Sequence, residues 1–260
     1  MSFSLRLTAD LTLAMATRAI GAQRGSPLVL RFSTDSVLDA GSSLPSVGGQ
    51  EISSDASQSF VEIASRSQSP IIWIDGSDPL DYPGVARLAN SITASRHHVF
   101  LETCGALLKP RLHEFQPSSN FYFAVRFDCR KRSPDQNDAP EAKWRIGLEA
   151  LRMARLAGFF TCARLLLHPG VAAGDVARLH GEICKLDIDG FLITSGTHTP
   201  ELERTVEDTR RRLLSRRCAL LSSSLDASAL STMSRDSSEM GRPPLPEPQQ
   251  DRFGEGAGAG

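Results

Sequence analysis

No cysteine occurs before Cys104, and the five present, Cys104, Cys129, Cys162, Cys184 and Cys218, are scattered with no pair at metal-knuckle or redox spacing. That pattern argues against a disulfide framework and leads to the expectation of a reducing, cytoplasmic compartment. Charge of one sign is also missing: 29 Lys and Arg face 30 Asp and Glu, with no long run of either. An extended nucleic-acid surface is thereby disfavoured, and small ligands or proteins become the expected partners. Nothing approaches the roughly 20 consecutive apolar residues of a membrane span. The opening MSFSLRLTADLTLAMATRAI interrupts its apolar stretch with Arg6 and Asp10, so it does not read as a signal peptide. There is no glycine-rich phosphate loop, no GxSxG elbow, no HExxH and no GxGxxG after a strand. His97 and His98 are adjacent, which on a strand turns their side chains apart and disfavours joint metal binding.

What is present is a regular alternation. With 260 residues, 40% of them hydrophobic, the chain is long enough for one sizeable α/β domain. Leu7, Leu11, Ala14, Met15 and Ala19 recur at helical spacing, predicting an amphipathic helix within residues 1–24. Its stripe is expected to pack on the protein's own core, with peripheral membrane contact as the alternative. Six short apolar runs then read as strands: Pro27 to Phe32, Pro70 to Ile74, His98 to Thr103, Phe121 to Phe127, Phe159 to Leu167 and Gly190 to Thr194. Helical segments are predicted at about Phe60 to Ser65, Gly84 to Ser95, Ala106 to Phe115, Glu141 to Leu156 (closed by Gly158), Val171 to Lys185 and Pro200 to Leu214. Ser33 to Ser59 is rich in serine, glycine and aspartate and reads as a long loop. Residues 25–220 form the expected domain. Residues 221–260, rich in serine, proline and glycine, read as a disordered tail, with PPLPEP as a conceivable polyproline ligand. Six βα units predict a parallel sheet with right-handed crossovers. Periodicity alone leaves an open doubly wound sheet and a partial barrel both available, and in either the ligands sit at the carboxyl ends of the strands.

The stretch from Ile71 to Cys129, IIWIDGSDPLDYPGVARLANSITASRHHVFLETCGALLKPRLHEFQPSSNFYFAVRFDC, resembles radical S-adenosylmethionine (SAM) enzymes, nearest to their hopanoid-biosynthesis branch. The similarity continues through WRIGLEALRMARLAGFFTCARLLLHPG and DIDGFLITSG. The resemblance implies a six-unit (βα)6 partial TIM-like barrel. It also implies three cysteines spaced Cys-x3-Cys-x2-Cys in the loop after the first strand, holding a 4Fe-4S cluster that chelates SAM, since soft thiolates hold such clusters. Here the three positions fall near Leu38, Ser42 and Pro45, so a cluster is not expected.

The family's Gly-Gly-Glu-Pro motif, which receives the methionine part of SAM, corresponds to Gly76, Ser77, Asp78 and Pro79. The simpler reading of these four residues is a strand-to-helix turn in which Asp78 satisfies free amides and Pro79 sets the turn. Asp75, Glu102, Arg126, Asp128, Arg164 and His168 lie at or near strand ends; Glu102, Arg126 and Asp128 are candidate ligand-binding residues, and a Glu102–Arg126 ion pair is the plain alternative. His168, before Pro169 and Gly170, reads as a loop residue, and Cys104 and Cys129 end adjacent strands as unpaired thiols. The expectation is a non-catalytic protein of this fold that binds a small polar ligand or a companion enzyme. The alternative is an enzyme that binds SAM and performs non-radical chemistry at the barrel mouth.

Overall fold

The computed structural model describes residues 3–20, 27–35, 54–130 and 140–239. Six strands, β1 (Val29–Ser33), β2 (Ile71–Asp75), β3 (His98–Thr103), β4 (Phe121–Cys129), β5 (Phe160–Leu167) and β6 (Gly190–Ser195), form one sheet in the order of the chain. Every pairing is parallel. Around them run α1 (Leu5–Ala19), α2 (Ser54–Arg66), α3 (Val85–Ala94), α4 (Pro140–Leu156), α5 (Ala173–Cys184), α6 (Pro200–Leu213) and α7 (Arg216–Glu239). Sequential parallel strands with crossovers of one hand place their helices on one face, and the twisted sheet curls away from them. The result is a (βα)6 partial TIM-like barrel.

Alternation along each strand builds two cores. Ile72, Ile74, Val99, Leu101, Phe123, Val125 and Leu165 point outward and pack under the helices. Ile71, Trp73, Phe100, Tyr122, Cys162 and Leu192 point inward. Because both faces are covered, the strands read as nearly unbroken apolar runs. Inside, Trp73, Phe100, Tyr122 and Phe160 stack across four strands, with successive ring centroids 5.1, 4.5 and 5.1 Å apart.

The N-terminal end of the barrel is closed by the first helix. Phe3 meets Phe100 and Tyr122 edge-on, Leu7 and Leu11 are buried, and Ser4 caps α1 while sharing a 2.6 Å hydrogen bond with the Tyr122 hydroxyl. A Cβ at Gly190 would run into the Phe3 ring, so only glycine admits this plug. Asp10 and the Nε2 of buried His98 are 2.7 Å apart. Leu7, Leu11 and Ala14 thus pack on the core as expected, whereas Met15 and Ala19 face out.

The open side between β1 and β6 is closed by α7, which touches both edges. Cys218, Leu221 and Leu225 enter the inner core. Ser222 accepts from the Ile193 amide at 3.1 Å and Asp226 from the Ser195 amide at 3.2 Å, so side chains satisfy the edge of β6. This corrects the expectation that a disordered tail begins at residue 221. An apolar stripe at 218, 221 and 225 lies among serines, which bond back to helix carbonyls, Ser222 to Cys218 and Ser223 to Ala219. PPLPEP lies outside the described residues, as do Leu38, Ser42 and Pro45.

Two connections also differ. The helix expected from Phe60 begins at Ser54. The one expected over Ala106 to Phe115 shrinks to one turn, Leu108–Arg111, and a 3-10 turn, Leu112–Glu114, because Pro110 brings no amide to a longer helix. Among the described residues no helix is long and apolar enough to cross a membrane.

Candidate functional site at the barrel mouth

The carboxyl ends of the strands gather charge above the aromatic stack. Glu102, on β3, is fully enclosed and accepts from Trp73 Nε1 at 2.9 Å, Arg164 at 2.6 Å and Arg126 at 3.2 Å. Arg164, on β5, also donates to the Thr194 hydroxyl at 2.8 Å and lies 5.9 Å from the Trp73 ring centre. Arg31, on β1, holds Asp75 of the neighbouring β2 through its Nε at 2.8 Å and through a second guanidinium nitrogen. All six strands contribute to this charged cluster, and each member projects from the inward-facing register of its strand.

The two buried carboxylates differ in state. Burial pushes Glu102 up, but the charges of Arg164 and Arg126 and the bonds from Arg164 and Trp73 outweigh it and hold its carboxyl below the ordinary range. Burial and then the nearby Glu102 charge push Asp75 up to about 6, against the opposing pull of Arg31.

The Gly76–Pro79 turn sits on the rim beside this network. Gly76 has φ +147°, and a Cβ there would collide with Thr34 and Asp35. Asp35 accepts from the Ser77 amide at 3.0 Å and the Ser77 hydroxyl at 3.2 Å. Asp78 caps the 3-10 turn Pro79–Asp81: one carboxylate oxygen accepts from the Leu80 amide at 3.1 Å. The other accepts from the Thr103 hydroxyl at 3.0 Å, the Cys104 amide at 3.1 Å and the Cys104 thiol at 2.9 Å. Pro79 is buried at the first position of the turn. Arg126 ties turn to network, donating to the carbonyls of Gly76 and Ser77 at 3.1 Å each while it pairs with Glu102.

No family profile and no curated protein matches the chain. Among solved structures it is similar to Streptococcus suis SuiB, with TM-score 0.45 and 11% identity over 60% of this chain and 40% of that one. SuiB bound to S-adenosylmethionine gives TM-score 0.47 and 10% identity over 65% and 43% of the two chains. SuiB bound to the precursor peptide SuiA gives TM-score 0.47 and 10% identity over 65% and 41%. The chain spans about two fifths of the length of these structures.

Sequence reasoning named Asp75, Glu102, Arg126 and Arg164, and the structure brings all four together. Asp128 stands at the outer edge, 3.9 Å from Arg126 and 3.7 Å from His168. His168 lies just after β5 with its ring against Gly196, and burial, followed by the Arg130 charge, lowers its pKa. Arg31, Trp73 and Thr194 were missed. Arg31 had a usable signal, being the one charged residue within PLVLRF.

The donor set does not fit a 4Fe-4S cluster, because no thiol lies on β1 or anywhere before Cys104. Cys104 is engaged by Asp78, and Cys184 lies on α5 beside His180 at 3.5 Å. Cys129 is buried in the outer core, whereas Cys162 and Cys218 are buried in the inner one. Cys104 and Cys129 therefore end adjacent strands on different faces, and burial pushes the Cys129 thiol up to about 12.

Proposed function

We propose that this chain is a radical SAM-like barrel that works without a cluster, as a non-catalytic protein binding a small polar ligand at its mouth. The observation that carries this reading is Arg126, whose guanidinium spans Glu102 and the carbonyls of Gly76 and Ser77. By resemblance, the turn at Gly76–Pro79 is where the methionine part of SAM would be received. In this chain those carbonyls face a cation of the protein's own, and an incoming ammonium would have to displace it. Asp78 is equally occupied, since its carboxylate already accepts from Leu80, Thr103 and Cys104.

The charge inside the mouth supports an anionic group on the ligand. Among the described inward-facing residues, the guanidiniums of Arg31, Arg126 and Arg164 meet the carboxylates of Asp75 and Glu102. Asp128, in the same register of β4 and 3.9 Å from Arg126, is a third anion, so the support for an anionic ligand is that the guanidiniums of Arg31 and Arg126 reach solvent. A bound carboxylate or phosphate would take charge-assisted hydrogen bonds from these two guanidiniums. A hopanoid-related role and a companion enzyme as the partner belong to the same proposal and rest on the resemblance alone.

Anaerobic iron–sulfur reconstitution is expected to leave the protein colourless, and titration with S-adenosylmethionine to give no heat at millimolar ligand. A brown product with about four irons per chain would overturn the reading. Tight SAM binding without iron would instead establish the alternative of polar chemistry at the same mouth.

A further inference from the structure

We infer that the end of α5 carries a two-residue chelating site for a zinc-like divalent cation, held by His180 and Cys184. The two side chains are four residues apart on one helix and therefore neighbours on its surface. Two donors at this helical spacing are a known way to put two protein ligands on one metal ion. Cys184 Sγ lies 3.5 Å from His180 Nε2 and 3.8 Å from Nδ1. Zinc takes a thiolate at about 2.3 Å and an imidazole nitrogen at about 2.0 Å, so in a tetrahedron these donor atoms stand about 3.5 Å apart. The pair is thus at chelating separation with no movement of the backbone.

Both donors are available. Among the described residues, neither side chain has a polar partner other than its neighbour. The Phe191 ring backs the imidazole edge-on, with centroids 4.8 Å apart. Cys184 is exposed, and the same side of the helix carries only small residues beside the pair. Ala173 and Ala177 are exposed there, and a Cβ at Gly181 would meet nothing within 4 Å. A hydrated ion can therefore reach the sulfur and the ring together.

The surroundings set the class of ion. Cys184 is the last residue of α5, where the negative end of the helix dipole favours a cation. Lys185 follows it, about 100° further round the axis, and is paired with Glu182 at 2.6 Å. Nitrogen and sulfur donors select zinc and its softer relatives over magnesium and calcium. No third Asp, Glu, His or Cys joins the pair among the described residues, so water fills the other two positions of the tetrahedron. Binding exchanges the thiol proton of Cys184 for the metal and needs the neutral imidazole, so it releases protons and weakens in acid. The end of α5 leads into the amino end of β6 at Gly190. The site is therefore at the end of the barrel opposite the mouth and stands apart from the ligand-binding reading.

The test titrates the full chain, reduced and freed of metal, with zinc chloride by calorimetry and with cobalt chloride by absorption. One ion per chain is expected, with a thiolate-to-cobalt charge-transfer band, and magnesium chloride should give no heat. C184S should abolish the band, and C184S and H180Q should each weaken zinc binding at least tenfold with the circular dichroism unchanged. A measurement on the wild type needs no variant: zinc should slow alkylation of Cys184 by iodoacetamide at least tenfold, read by peptide mapping. The inference is overturned by any of four results: no zinc bound, zinc bound equally well by both variants, magnesium bound as tightly as zinc, or alkylation of Cys184 at the same rate with and without zinc.

Discussion

Glu102 meets two guanidiniums and an indole, whereas Asp75, one strand away, meets one guanidinium and the negative charge of Glu102. Asp75 consequently titrates at about 6 in the folded chain against an ordinary 3.8. Between those values the folded state holds a proton that the unfolded state has released, so stability falls as pH rises through this window and levels off above it. The stability of the wild type relative to D75N is expected to fall by about 2 kcal/mol from pH 4 to pH 7, read by urea unfolding at several pH values. A difference independent of pH would mean that Asp75 ionises alike in both states. At this scale much of the mouth was legible, because period-two alternation at a strand end tells which residues point inward. Asp75, Glu102, Arg126 and Arg164 follow from that rule. Their pairing does not, since Arg31 finds Asp75 only through the β1–β2 register, and no local pattern encodes a neighbour 44 residues away.

Elements were legible where apolar periodicity was dense and hidden where composition diluted it. The strands came out within one or two residues because both faces of each are buried. The helix α7 escaped because its three inward residues, Cys218, Leu221 and Leu225, are set among serines that suggest a tail. Its contribution is measurable: L225A is expected to cost about 2–5 kcal/mol, as for other leucines removed from a packed interior. Denaturant unfolding checks this, and a cost near zero would restore the picture of a loosely attached segment. The same helix accepts from the Ile193 and Ser195 amides, so its loss would bare the edge of β6.

At the scale of the whole molecule, one sheet separates two cores that share every strand. Trp73 reports the inner core and Trp144, between α4 and α5, the outer. Single-tryptophan variants, W144F and W73F, are expected to show the same dependence of fluorescence on denaturant once each is referenced to its own stability, because neither layer keeps its strands without the other. Two separated transitions when followed by fluorescence and circular dichroism on one variant would mean that the layers unfold independently. The fold class followed from counting βα units, while the choice between an open sheet and a partial barrel came from resemblance, since curvature depends on how residues far apart in sequence fill the interior.

The position of α7 in the chain also bears on how the protein is made. A ribosome delivers β1 to β6 before the helix that seals them, so a nascent chain passes through a stage with a complete sheet and two unguarded margins. Strand edges of that kind recruit other strands. Slow synthesis across residues 196–239 would prolong this stage, and neighbouring chains on one messenger would be the first to find each other there.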